Sequence, residues 1–186
     1  MIYNFVKALI RIFVSLIFSL EVSGRENIPE GGGYLVCSNH SSNWDPVTVT
    51  LAIDKRLSYI AKEELFRFAP FGALIKTLGA IPVKRGGGGA AAVLAAVDLL
   101  KNGGIITMFP EGTRVKDGRK IRPKSGAVRI ARTNNIPILP VGISGGYKLF
   151  GRISVNIGKP MFFSDGEDAA AQTETLMDEI YKRAKV

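Results

Sequence analysis

A chain of 186 residues, 46% hydrophobic and 22% charged, is long enough for one sizeable core and too apolar to be disordered. Its 25 basic against 16 acidic residues give a formal net charge of +9, which directs attention to anionic partners: nucleic acid, a membrane surface or phosphorylated substrates. One cysteine excludes an internal disulfide, and one histidine beside it argues against a His/Cys zinc site.

Residues 2 to 20 are apolar except for Asn4, Lys7, Arg11, Ser15 and Ser19, which recur at helical spacing and form one stripe. The spacing predicts an amphipathic helix whose apolar face lies in a membrane interface with its cations toward anionic headgroups. At roughly 30 Å it is long enough to cross a bilayer, but the polar stripe argues against crossing. Two other readings stay open. One is a signal peptide, for which Ser19-Leu20-Glu21 makes a poor cleavage site, and the other is an ordinary helix packed on the domain.

Glu21 to Gly24 reads as a short strand and Pro29 to Gly33 as a turn. Tyr34 to Ser38 is an apolar, β-prone run that ends where the segment Asn39 to Asp45 begins. His40 is the sole histidine and Trp44 the sole tryptophan. An unperturbed imidazole, with a pKa of about 6.5, suits proton transfer near neutral pH. Asp45, five positions on, is a carboxylate placed to orient it. The bland alternative is a structural histidine, with Asp45 as the N-cap and Pro46 as the first residue of a helix to about Ile53. Cys37 is either a nucleophile activated by His40 or a buried inert thiol, and its strand context favours the second.

Leu57 to Ala61 reads as the next strand, ending at Lys62, and short helical pieces broken by Pro70 follow. Ala80 to Lys84 is a strand that delivers Arg85 into four glycines. Without phosphate-loop context, Gly86 to Gly89 read as a flexible connection with an anion-holding arginine at its mouth. Ala90 to Lys101 is a helix closed by Asn102-Gly103-Gly104. Ile105 to Phe109 is short and fully apolar, as buried parallel strands are. It opens onto Pro110-Glu111-Gly112-Thr113-Arg114 and a loop carrying Lys116, Arg119, Lys120, Arg122 and Lys124. Those five read as a solvated charge run, or as contacts to anionic lipid. A helix from Ser125 to Asn134 precedes a strand from Ile136 to Ile143, which Pro137 and Pro140 assign to an edge or a bulge. Arg152 to Ile157 is the last strand, and Gly166 to Ala184 a helix. The alternation predicts an α/β fold: a mostly parallel sheet flanked by helices, one domain over residues 21–186, preceded by a membrane-associating helix over residues 1–20.

Four stretches occur in order: NHSSNWD at 39–45, GAIPVKR at 79–85, FPEGTR at 109–114 and IPILPV at 136–141. Together they strongly resemble the four sequence blocks of the glycerolipid acyltransferase family, the lysophosphatidic acid acyltransferases in particular. AKEELF at 61–66 matches the family's usual run between the first two blocks, and the apolar N-terminal helix is similar to that of the bacterial members. The resemblance covers roughly residues 20 to 160.

The resemblance implies acyl transfer from a thioester, acyl-CoA or acyl-acyl carrier protein, to the sn-2 hydroxyl of lysophosphatidic acid. The product is phosphatidic acid, made at the cytoplasmic face of the cell membrane by a peripheral or monotopic protein. Another lysophospholipid or glycerol-3-phosphate as acceptor stays open, as does phospholipid binding without turnover. His40 is implied as general base, Asp45 as the carboxylate that fixes its tautomer, and the transfer as direct, with no cofactor. Lys62, Arg85, Glu111, Gly112, Thr113 and Arg114 are implied in acceptor binding. Physical reasoning runs the same way. A hydroxyl is a poor nucleophile until a positioned base takes its proton, and a phosphomonoester calls for more than one cation, with Arg able to bind bidentately. Backbone N–H groups near the start of the 46–53 helix are the candidate donors to the thioester oxyanion. Glu111 on its own also reads as a cap or as an ion-pair partner of Arg114. Nucleic-acid binding, suggested by charge alone, lacks a recognition helix or an aromatic stacking pattern.

Overall fold

The computed structural model describes residues 2–67, 72–73, 76, 79–83, 89–115 and 119–186. Helix α1 (Ile2–Ile17) leads into strand β1 (Ser19–Ser23) and a 3-10 turn at Arg25–Asn27. Then come β2 (Tyr34–Ser38), α2 (Asp45–Ile53) and β3 (Leu57–Lys62), with a 3-10 turn at Glu63–Phe66. β4 (Ala80–Val83), α3 (Gly89–Lys101), β5 (Ile105–Met108) and α4 (Gly126–Asn134) follow, and β6 (Ile138–Gly145), β7 (Arg152–Ile157) and α5 (Ala169–Ala184) come last.

The strands form one seven-stranded sheet in the order β1-β7-β6-β2-β5-β3-β4. β6, β2, β5, β3 and β4 run parallel to one another. β7 turns back antiparallel to β6, and β1 pairs parallel with β7. The fold is thus the mostly parallel α/β sheet that the sequence predicts. β2 illustrates why it is covered on both faces. All five of its residues are buried, as expected of a central parallel strand. Tyr34 and Val36 pack in the layer of Val14 and Phe18, beside α2 residues Val49, Leu51 and Ile53. Leu35 and Cys37 pack in the opposite layer with Leu100 of α3, Val128 of α4 and Met177 of α5. The two-residue period of the strand supplies both layers.

Two expectations are corrected. β6 is neither an edge nor bulged; it lies between β7 and β2. Pro137 precedes the strand, so it costs no ladder bond. The N–H of Ile138 points away from β2, toward Met161 O at 2.9 Å. By alternation Pro140 faces that same side, where its carbonyl accepts from Gly158 N at 2.8 Å, one residue past the end of β7. Pro140 thus sits at the end of the β6–β7 pairing and faces away from β2, so it removes no bond between β6 and β2.

The polar stripe of α1 is also turned differently from the prediction. The helix ends at Ile17, and Ser19 already belongs to β1. Lys7 Nζ lies 3.0 Å and Arg11 Nη2 2.8 Å from Asp54 Oδ1, at the C-terminal end of α2. A hydrogen bond from Lys7, with Arg11 assisting, holds the Asp54 carboxyl below the usual carboxylate range. The two cations therefore face the protein, and Phe5, Leu9, Ile12, Phe13 and Leu16 are the exposed side. Among the described residues no helix is long and apolar enough to cross a membrane.

Candidate active site

Five parallel strands bring their C-terminal ends to one edge of the sheet, where ligands of open α/β folds gather. His40 follows β2 by two residues, Glu111 follows β5 by three, and Tyr147 follows β6 by two. β2 lies between β5 and β6, so these three loops meet.

Asp45 is the first residue of α2, and Trp44, not Asp45, stands at the N-cap. The Asp45 carboxylate folds back over the preceding loop instead of capping the helix. Its Oδ2 accepts from Ser41 N at 2.6 Å and Ser42 N at 2.7 Å, and stands 2.8 Å from His40 Nδ1. Its Oδ1 accepts from the Tyr147 hydroxyl at 2.6 Å. The residue has no exposed surface. An ionised carboxylate only accepts, so Nδ1 carries the hydrogen and Nε2 keeps its lone pair. The His40 side chain is 18% exposed, and its ring stacks on Phe109 with centroids 4.2 Å apart.

The His40 backbone is gripped from both sides by the turn after β5. Its N–H donates to Glu111 Oε2 at 2.6 Å, and its carbonyl accepts from Val115 N at 2.7 Å. Glu111 Oε1 accepts from the Tyr181 hydroxyl of α5 at 2.9 Å. Both oxygens of Glu111 are engaged by the protein, and it makes no ion pair with Arg114. Burial pushes its carboxyl above the ordinary value, against the lowering effect of the Tyr181 and His40 donors. One residue earlier, Asn39 exchanges two hydrogen bonds with the Ile143 backbone, 2.9 Å and 2.8 Å, tying the loop to β6.

Gly112 takes a left-handed φ of 67° to close the turn, with its N–H on Phe109 O, and a Cβ there would meet the Lys124 side chain. Thr113 and Arg114 are exposed beside it. Of the basic loop, Lys120 lies over the Tyr181 ring at 5.2 Å, and Arg122 and Lys124 line a groove of about 750 Å³ with Arg129 of α4. Lys62 ends β3. Arg85, Lys116 and the side chain of Lys62 lie outside the described residues.

Most backbone N–H groups near the start of α2 are already engaged. The N–H groups of Ser41, Ser42, Trp44, Asp45 and Thr48 are all used within the loop and helix, and Pro46 has none. Cys37 is fully buried on the far side of β2, where burial raises its thiol pKa well beyond the thiolate range. The sequence does not mark Tyr147 or Tyr181 as site residues. They stand 102 and 70 positions from the carboxylates they hold, and no local motif marks them. Trp44 packs against Phe13 and Phe18, with centroids 6.4 Å and 6.0 Å away, so it joins α1 to this loop.

A family model described as Acyltransferase matches residues 19–144, more than half of the chain. The chain belongs to the acyltransferase family. Among related acyltransferases, the 1-acyl-sn-glycerol-3-phosphate acyltransferase of Bacillus subtilis (strain 168) is 33% identical over 190 residues, covering 96% of this chain and 94% of that protein. The enzyme of the same name from Streptococcus pneumoniae is 30% identical over 177 residues, 89% of this chain and 64% of its own. The crystal structure of the 1-acyl-sn-glycerophosphate (LPA) acyltransferase PlsC from Thermotoga maritima superposes with a TM-score of 0.76 at 28% identity, covering 97% of this chain and 80% of that one. All four sequence blocks fall within the matched region of this acyltransferase chain.

Proposed function

We propose that the chain transfers a fatty acyl group from an acyl thioester to the sn-2 hydroxyl of 1-acyl-glycerol-3-phosphate, giving phosphatidic acid. The substrate class draws on the names of the Bacillus and Thermotoga proteins. The chemistry is carried by one observation: the 2.8 Å pairing of His40 Nδ1 with a fully buried carboxylate, on a partly exposed ring. His40 Nε2 takes the proton of the acceptor hydroxyl as its oxygen attacks the thioester carbonyl. Asp45 steadies the imidazolium that forms. The tetrahedral oxyanion collapses, the C–S bond breaks, and the departing thiolate takes the proton from the imidazolium. Every atom and proton is accounted for without an acyl-enzyme or a cofactor.

Lys62, Arg85 and Arg114 supply the cations for the acceptor phosphate, with Gly112 and Thr113 shaping the turn beside it. Glu111 serves the site by holding the His40 backbone, since both its oxygens are already engaged. The donor is acyl-CoA or an acyl-acyl carrier protein. The protein works at the cytoplasmic face of a membrane, held there by residues 1–20 as a peripheral or monotopic anchor. Support for this comes from the exposed apolar face of α1, joined by exposed Leu149 and Phe150 where Phe150 N donates to Ile17 O at 2.6 Å. The 16 helical residues span about 24 Å, short of the ~30 Å hydrocarbon core, which favours a place in the interface over a crossing. The net charge of +9 suits an anionic surface.

The test is purified protein on anionic vesicles, offered lysophosphatidic acid, other lysophospholipids, glycerol-3-phosphate and monoacylglycerol against both donors. His40→Ala serves as the blank. Phosphatidic acid from the wild type and none from the blank is the expected result. No product from any pairing would leave a phospholipid-binding module, and equal turnover of phosphate-free monoacylglycerol would remove the cations from their role.

A further inference from the structure

Asp45 has two oxygens and an uneven set of donors. Oδ2 receives the Ser41 and Ser42 N–H groups and His40 Nδ1, whereas Oδ1 receives the phenol of Tyr147 at 2.6 Å. Without that phenol a fully buried carboxylate oxygen would lose its donor, and the group would be held from its Oδ2 side alone. Tyr147 itself is held on two sides. Thr48 Oγ1 stands 3.1 Å from its hydroxyl, and the Phe18 ring packs edge-on against its ring with centroids 5.5 Å apart. Phe18 lies between α1 and β1 and is 3% exposed.

We propose that Tyr147 is a positioning residue for the His40–Asp45 pair: it anchors Asp45 Oδ1 so that Oδ2 faces His40 Nδ1, and it limits how strongly Asp45 holds the imidazolium. The proposal rests on the reading of His40 as general base. The second part follows from charge distribution. A donor to the carboxylate spreads and stabilises its negative charge, which weakens its pull on a neighbouring cation. Removing the donor concentrates that charge on the imidazolium, so the His40 pKa rises. A base that is protonated over more of the working range is a poorer base. Among the described residues, the other titratable and charged groups around His40 are Glu111 and Tyr181, with Lys120 and Lys124 outside them. None of these touches Tyr147, so a change at the phenol reads on Asp45.

The sole histidine makes the experiment direct, because untagged protein in micelles gives one set of imidazole signals to titrate by NMR. In Tyr147→Phe the His40 midpoint is expected to rise by about half a pH unit, and the acidic limb of kcat/KM to move with it. Turnover is expected to fall about 10- to 100-fold, with both KM values within about twofold, as for a small misplacement of a catalytic group. Site-specific 3-fluorotyrosine at 147, a stronger donor of nearly the same shape, should move the midpoint down and keeps the test open if the phenylalanine variant folds poorly. A midpoint that stays put in either variant overturns the proposal, since a purely packing role changes stability and leaves the titration alone. His40→Ala, assayed in parallel, separates the two readings. If it keeps turnover, the base assignment itself fails; if it loses turnover while Tyr147→Phe leaves the midpoint in place, only the role of Tyr147 fails.

Discussion

Three hydrogen bonds and a ring stack hold His40, while Arg114, five residues beyond the Phe109 ring of that stack and one before the Val115 N–H, stands exposed in solvent. The contrast fits what the proposed reaction would ask of each. Proton transfer works over a few tenths of an ångström, so the base needs a rigid, buried scaffold. Attraction to a phosphate falls off gradually with distance, so a long, mobile cation serves as well as a fixed one. Burial is placed where geometry matters, and exposure where reach matters.

The harshest way to break this contrast is His40→Ala, which is expected to lower kcat by about 10²- to 10⁴-fold with little change in melting temperature. Turnover within a few-fold of wild type, measured with lysophosphatidic acid, would mean that the scaffold around His40 serves some other end. Arg114→Ala sharpens the contrast from the other side. It should raise KM for the phosphorylated acceptor about 10-fold and leave kcat within a few-fold, the size of one charge-assisted hydrogen bond. An equal loss with a phosphate-free acceptor would show that Arg114 acts on the chemistry instead.

Glu111→Gln probes the buried half at lower cost, because a carboxamide oxygen still accepts from the His40 N–H. The wild-type carboxyl has its pKa raised by burial, so the folded state holds its proton to higher pH than the unfolded chain. Its contribution to stability is therefore greatest below the ordinary Glu value and declines as pH rises from there through the raised one. The glutamine variant lacks that decline, and urea midpoints should shift in its favour between acidic and neutral pH. A difference between the two proteins that is flat across that window would contradict the raised pKa. The smallest effect belongs to Cys37→Ala. Full turnover is expected, with a stability loss of about 1 kcal/mol from the vacated core volume. A large fall in kcat would revive an acyl-cysteine route.

Local patterning was enough for much of this molecule. Apolar runs such as Ile105 to Met108 and the alternation of strand and helix made the α/β sheet legible, because a buried parallel strand and an amphipathic helix each carry their period in the chain. His40, Asp45 and the turn from Glu111 to Arg114 were legible for a similar reason: each is a short block at a strand end. What the chain order does not carry is contact across the fold. Tyr147 and Tyr181 meet their carboxylates only because β6 and β2 are neighbours and α5 packs over β6. The interior place of β6, with Pro140 inside it, is set by its two neighbours β7 and β2 and not by any local signal. The side that α1 shows to solvent depends on Asp54, 43 residues from Arg11, which draws the cations inward and leaves the apolar face outside. Periodicity names the stripes of a helix, and only the partner it packs against decides which stripe is buried.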